Sequence, residues 1–187
     1  NVQITVGALE PERFKEQRKI GNRVVWVGTP NERKRPDLLI RVAQLCPDID
    51  FLILGKGWKD KPIWTHVAVL ANIEYKEIHG PLGTADFDDC AVYLMTSEVE
   101  GGPMPLMESV AAGLTPICTD TGFVQDIFQI LNRIPIIVPL DPLAIASKVR
   151  EILREIKLGQ KIDSELILAF TYEKLALKIH GGYHRDK

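Results

Sequence analysis

Two glutamates eight positions apart, Glu100 and Glu108, bracket the loop Gly101-Gly102-Pro103-Met104-Pro105-Leu106-Met107. An apolar run at 91–95 reads as a buried strand before it, and 105–112 reads as a helix after it. The loop therefore joins a strand to a helix. Gly101 and Gly102 let the backbone approach a ligand closely, and a proline at the first helical positions loses little by lacking an N–H. The unpaired N–H groups and positive dipole end of the helix, near Met104 to Leu106, then favour an anion such as a diphosphate. Glu108 falls about one turn further in, roughly 5 Å along the axis, about the offset from a phosphate to a ribose whose hydroxyls a carboxylate can accept from. The layout suits a sugar nucleotide. Glutamates also stabilise helix starts without binding anything, and many Gly-Pro loops are only turns, so the surrounding elements must carry the assignment.

Those elements alternate. Strands are expected at 24–27, 51–54, 73–78, 91–95, 116–119 and 135–138, after a short opening strand at 2–6. Helices are expected near 36–45, 62–71, 84–90, 105–112 and 123–131, and two more in the tail at 142–157 and 164–181. Short apolar strands separated by helices imply right-handed crossovers and a parallel sheet covered on both faces, a doubly wound, Rossmann-like α/β fold. In such a sheet ligands bind beyond the carboxyl ends of the strands. The strand exits read Gly28-Thr29-Pro30, Gly55-Lys56-Gly57, His79-Gly80-Pro81-Leu82, and Ser97 through Gly102.

Composition narrows the function classes. The 187 residues suffice for one domain with a sizeable core, at 45% hydrophobic. Lys+Arg 23 against Asp+Glu 25 leaves a formal net charge of -2, with the signs interspersed, so no basic face announces nucleic acid. No apolar run approaches the roughly 20 residues that span a bilayer, and no signal segment opens the chain. Cys46, Cys90 and Cys118 lie at wide spacings without a C-x-x-C pair, which suggests reduced core thiols and a cytoplasmic setting, or the cytoplasmic face of a membrane.

The string Ser97-Glu98-Val99-Glu100-Gly101-Gly102-Pro103 through Glu108-Ser109-Val110-Ala111-Ala112-Gly113 resembles the E-x7-E signature of family 4 glycosyltransferases with the GT-B fold, most of them retaining enzymes using nucleotide-sugar donors. The resemblance spans nearly the whole chain and is strongest from 24 to 122. It implies the C-terminal, donor-binding half of such an enzyme, the acceptor being held mainly by a missing N-terminal domain. Residues 1–19 then read as an opening strand and interdomain remnant, and 20–187 as the nucleotide-sugar-binding domain with C-terminal crossing helices. The start at Asn1 without a methionine fits an excised piece.

Lys34, within Lys34-Arg35-Pro36-Asp37-Leu38, looks like the family's diphosphate-binding lysine, positioned to neutralise charge on the departing phosphate. By the same resemblance Glu100 meets the donor sugar near its reacting carbon, and Glu108 holds the ribose. Gly80, Pro81 and Leu82 match the segment that cups the nucleobase through backbone groups, while Gly28 and Gly57 match glycines of the strand exits. Lys34 and Glu100 are thus the expected catalytic pair. The donor set comprises Gly28, Lys34, Gly57, Gly80 to Leu82, Glu100 to Leu106 and Glu108.

Three further strings match family elements. Asp120-Thr121-Gly122 and Pro139-Leu140-Asp141-Pro142 are read as structural, and Phe170-Thr171-Tyr172-Glu173 opens the helix that crosses back towards the N-terminal domain. No metal or other cofactor is implied. One position departs: the family usually places an arginine after the strand-end glycine as a second phosphate clamp, and this chain has Thr29. Arg33 and Arg35 are the nearby substitutes, but a hydroxyl does not replace a planar bidentate group.

Two rival readings stay open at this point, a GT-B nucleotide-sugar epimerase and a degenerate module that binds a protein or sugar nucleotide without catalysis. Membrane association of a full-length protein also stays open, since the acceptor-side half normally makes that contact. His180 and His184 have the spacing of two ligands on one helix face but lack a third, so they read as a solvated tail. Trp26, Trp58 and Trp64 are candidates for a stacking platform, with Trp26 more simply core.

Overall fold

Strand β1 (Arg23–Val27) is almost wholly buried because both of its faces are covered: Val25 and Val27 enter one core and Val24 and Trp26 the other. The computed structural model describes residues 9–14, 19–122, 124–130 and 135–157. Within them β2 (Phe51–Gly55), β3 (Ile73–Glu77), β4 (Cys90–Met95), β5 (Thr115–Thr119) and β6 (Ile136–Val138) complete a parallel sheet in the order β3-β2-β1-β4-β5-β6. Helices α1 (Pro36–Leu45), α2 (Trp64–Val67), α3 (Met104–Ala111), α4 (Val124–Ile130) and α5 (Pro142–Lys157) connect and cover it. The core on one face packs α3 and α4, the other α1 and α5. This is the doubly wound, Rossmann-like fold. Chain order reverses between β1 and β4, the point at which such sheets open a crevice for ligands.

Most expected elements lie within a residue or two of their positions, but two differ. The helix expected at 62–71 is a single turn at Trp64–Val67. Trp58 explains its start: the indole is buried edge-on against Trp26 and donates from Nε1 to Gly28 O at 2.9 Å, so the chain must turn before helix can begin. Asn72 explains its end, with Nδ2 lying 3.0 Å from the carbonyl oxygens of Ala43, Cys46 and Ile49 and fixing the turn into β3. The helix expected near 84–90 is a 3-10 turn, Thr84–Phe87. It stops at Asp88 and the left-handed Asp89, after which the backbone is extended in β4.

Trp26 is core as expected, its Nε1 donating to Thr96 Oγ1 at 2.9 Å, and Trp58 joins it there, while Trp64 packs on Tyr75. The three therefore form no platform. The opening strand at 2–6, the tail helix at 164–181 with Phe170-Thr171-Tyr172-Glu173, and His180 and His184 lie outside the described residues. Among the described residues no helix is long and apolar enough to cross a membrane.

Candidate functional site

Lys34 and Glu100, 66 residues apart, meet over the gap between β1 and β4: Lys34 Nζ lies 2.6 Å from Glu100 Oε1, with the two side chains only 16% and 10% exposed. The sequence around each explains the meeting. After β1 the chain makes a 3-10 turn, Glu32–Lys34, whose start is capped by Asn31 Oδ1 accepting from Lys34 N at 3.2 Å. Thr96, just past β4, donates from Oγ1 to Lys34 O at 2.7 Å and clamps that turn to the neighbouring strand end. The lysine stem then runs back over Gly28. A Cβ there would sit 2.6 Å from Lys34 Cδ, and φ is +155°, so residue 28 must be glycine for the ammonium to cross.

Glu100 is held with equal care. Ser97 Oγ donates to the same Oε1 at 2.7 Å, and Glu100 N donates to Thr121 Oγ1 at 3.2 Å. Thr121 in turn donates to Glu98 O at 3.0 Å, and Thr119 Oγ1 donates to Ser97 O. The exit of β5 thus seats the exit of β4. Gly122, left-handed at φ +56°, lies so close that a Cβ would fall 2.2 Å from Glu100 O. The string Asp120-Thr121-Gly122 is structural in the most direct sense, since it fixes the backbone of Glu100.

Glu108 sits in a different setting. It lies on the second turn of α3 and is 5% exposed, with Oε1 accepting from Leu82 N at 3.0 Å. Burial pushes its carboxyl above the ordinary 4.5, an effect that the Leu82 hydrogen bond and Arg13 oppose and Asp86 reinforces. Oε2 makes no hydrogen bond among the described residues. The loop after β3 is held from its other side by Arg13, whose Nη1 donates to Pro81 O at 2.8 Å. Burial raises the phenol of fully buried Tyr93 well above its ordinary value, and the charges of Cys118, Glu100 and Glu108 add to that rise.

The loop between the glutamates leaves room. At Gly101 and Gly102 a Cβ would meet nothing within 4 Å, and their N–H groups make no hydrogen bond among the described residues. The first turn of α3 is less open: Met104 N donates to Gly102 O at 2.8 Å, Leu106 N to Pro103 O at 2.9 Å, and Pro105 has no N–H. Gly80 is left-handed with open space at its Cβ position, as is Gly57. Gly57 and Thr29 line a separate cleft of ≈ 820 Å³ over the ends of β1, β2 and β3, which neither Lys34 nor Glu100 touches.

Residues 10–165 match the family described as Glycosyl transferases group 1. The chain belongs to that family. No curated protein matches it significantly. Among solved structures, TarM superposes with a TM-score of 0.71 at 17% identity, over 98% of this chain and 38% of its own length. AviGT4, a glycosyltransferase involved in avilamycin A biosynthesis, gives 0.68 at 16% identity over 95% and 56%. The pneumococcal O-GlcNAc transferase GtfA, solved with UDP and GlcNAc, gives 0.61 at 18% identity over 97% and 39%. This glycosyltransferase domain therefore spans 38 to 56% of these three solved proteins, and shares their fold.

Sequence reasoning named Lys34, Glu100, Leu82 and Glu108, and the domain brings them together in two contacts, Lys34 with Glu100 and Leu82 with Glu108. It named none of the hydroxyls that seat them as functional. Thr96, Ser97, Thr119 and Thr121 each stand just past the end of β4 or β5, or at it, and that shared position was the available signal. Of the two substitutes for an arginine at 29, Arg35 is occupied: its Nε and Nη2 hold Asp37 at 2.9 and 2.8 Å.

Proposed function

We propose that this domain binds the donor of a retaining glycosyltransferase, which moves a sugar from a nucleoside diphosphate to an acceptor hydroxyl. The observation that carries the reading is the convergence of Lys34 and Glu100 at the switch point of the sheet, beside two glycines with open space and N–H groups that have no partner among the described residues. Four charges or dipoles of the right kind are gathered where a diphosphate and a sugar would lie end to end.

In this reading the donor diphosphate takes the Lys34 ammonium from Glu100 and is met by the N–H groups of Gly101 and Gly102. Glu100, kept in place by Ser97 and Thr121, then accepts from a sugar hydroxyl. The bond from the anomeric carbon to the β-phosphate oxygen breaks, and a new bond forms from that carbon to the acceptor oxygen. The acceptor's proton passes to the departing β-phosphate oxygen, and the nucleoside diphosphate leaves. Lys34 offsets the negative charge growing on the leaving phosphate, the kind of preorganised electrostatic help that dominates phosphate-leaving chemistry. Glu108 offers Oε2 to the ribose while Oε1 keeps hold of Leu82, whose loop supports the base.

The test is calorimetric titration with UDP, GDP and ADP, and with their sugar conjugates, using Glu108→Ala as control. UDP comes first because the pneumococcal neighbour was solved with it. A dissociation constant on the order of tens of micromolar to millimolar, weakened in Glu108→Ala, supports the reading and names the base. Absence of binding by any of the three, or binding indifferent to Glu108, counts against it. Thr29 favours a second reading, a module that holds a sugar nucleotide without transferring it. Transfer that survives Lys34→Ala and Glu100→Gln unchanged would remove these roles, whereas donor binding without transfer in any context would favour that module.

A further inference from the structure

We propose that Arg13 is a positioning residue: from the 3-10 turn Pro11–Phe14 it fixes the loop 81–84 that supports the base and, with it, the setting of Glu108. The turn is pinned in place by its flanks, since Leu9 and Phe14 are buried in the same core as Leu82 and Phe87. Arg13 Nη1 donates to Pro81 O at 2.8 Å, and Thr84 Oγ1 donates back to Arg13 O at 3.2 Å. Glu10 aims the guanidinium, its Oε2 accepting from Nε at 2.6 Å. The two backbones approach so closely that a Cβ on Gly83 would lie 3.1 Å from Arg13 O.

Four successive residues of the loop are thereby taken. Pro81 and Thr84 go to Arg13, Leu82 N donates to Glu108 Oε1 at 3.0 Å, and Gly83 N donates to Asp86 Oδ2 at 2.9 Å. A loop with a contact at every residue has little freedom to shift, so a base lying on it meets backbone groups already in place. Arg13 also acts on Glu108 through its charge. Among the described residues, the groups that face this carboxyl are Arg13 from the turn 11–14, Asp86 from the turn after β3 and the Tyr93 phenol from β4. Burial is the largest influence and raises Glu108; the Leu82 hydrogen bond and Arg13 oppose that rise, and Asp86 reinforces it. Of these side chains Arg13 is the one whose charge favours the carboxylate, the form with lone pairs for both Leu82 and a ribose hydroxyl. One guanidinium therefore governs both where the loop lies and how readily Glu108 ionises.

That the loop meets a base and Glu108 a ribose rests on the donor-binding reading; the contacts of Arg13 do not. The experiment compares the wild type with Arg13→Met and Arg13→Lys, first without ligand and then with UDP, GDP and ADP. Without ligand, hydrogen exchange at the Leu82 amide and the titration of the Glu108 carboxyl by carbon NMR are read. Arg13→Met is expected to speed exchange at Leu82 roughly three- to tenfold and to move the Glu108 titration to higher pH. Arg13→Lys keeps the charge but not the fork, so its titration should stay near that of the wild type while Leu82 still exchanges faster. With nucleotide, Arg13→Met should lose roughly three- to tenfold in affinity, and the weakening on acidification should begin at a higher pH than in the wild type. The titration of the nucleotide itself is common to both proteins and cancels. Should Arg13→Met fail to fold, exchange in Arg13→Lys, at an unchanged melting temperature, decides the matter. Leu82 exchange that is unchanged in both variants, or a Glu108 titration that Arg13→Met leaves unmoved, overturns the proposal. So does nucleotide binding with the same affinity and pH profile in Arg13→Met and wild type. If none of the three nucleotides binds the wild type, the donor reading fails, while the ligand-free arm still decides what Arg13 positions.

Discussion

Glu100 and Glu108 begin as the same side chain on one strand-loop-helix segment and end in opposite electrostatic settings. Glu100 faces an ammonium at 2.6 Å and a serine hydroxyl at 2.7 Å, both on one oxygen. Glu108 is buried against a single backbone N–H and has no cation at hydrogen-bond distance among the described residues. A carboxylate held by a mobile cation can exchange that partner for a ligand; one held by backbone serves as a fixed acceptor. The first suits a group that must change partners during a reaction, and the second a group that orients a bound molecule.

The sharpest break of that contrast is Glu100→Gln. In the active protein, transfer should fall on the order of 10²- to 10³-fold, the range for removing one preorganised group at a reacting centre. Binding of the nucleoside diphosphate should rise, because Lys34 loses its internal competitor; a product assay paired with calorimetry reads both. Weaker binding would mean that the ion pair assembles the site and does not compete for it.

Glu108→Ala should act on the fold as well as on nucleotide binding. It strands the buried Leu82 N–H, a loss of about 1–3 kcal/mol, whereas Glu108→Gln keeps a carbonyl acceptor and should cost much less. Chemical denaturation of the two variants measures the gap, and equal losses would show that Leu82 is not what Glu108 supports. A smaller effect is expected for Gly122→Ala: about 1–2 kcal/mol for a left-handed alanine, with displacement of Glu100 O from a Cβ that would approach to 2.2 Å. Nucleotide affinity should fall along with stability there, since the seat of Glu100 moves.

The smallest predicted effect is a pH dependence. Glu108 is raised in the folded protein above the 4.5 it has when unfolded, so the folded state holds the proton more tightly. Stability from this group is fully present below about pH 4.5 and is lost as pH rises from there through the folded value, because the unfolded chain ionises first. Melting temperatures of wild type and Glu108→Gln across that window should diverge with rising pH in favour of the variant. A difference that is flat, or of the other sign, would mean that the carboxylate is better solvated or better paired than its burial implies.

The sheet could be read from the chain because strands buried on both faces are short apolar runs, as at Val24 to Val27, Phe51 to Leu54 and Ala91 to Met95. The glutamate loop was equally visible through its glycines and prolines. What escaped was the extent of helix at 62–71, shortened by the burial of Trp58 and the carbonyl contacts of Asn72. Neither tertiary contact leaves a periodic trace. Also missed was the service of Thr96, Ser97, Thr119 and Thr121 to Lys34 and Glu100, since a hydroxyl near a strand end is unremarkable until the neighbouring strand is known.

The sequence alone determined the alternating elements, the glycine-rich strand exits and the residue types gathered at them, because these follow from local hydrophobic pattern and backbone freedom. The tertiary structure decided which of those residues meet. Strand order set β1 beside β4, and so joined Lys34 to Glu100 across 66 positions. Over the neighbouring cleft Arg33 has no side-chain partner among the described residues. Partner choice depends on distances between strand ends, and those exist only once the sheet has formed.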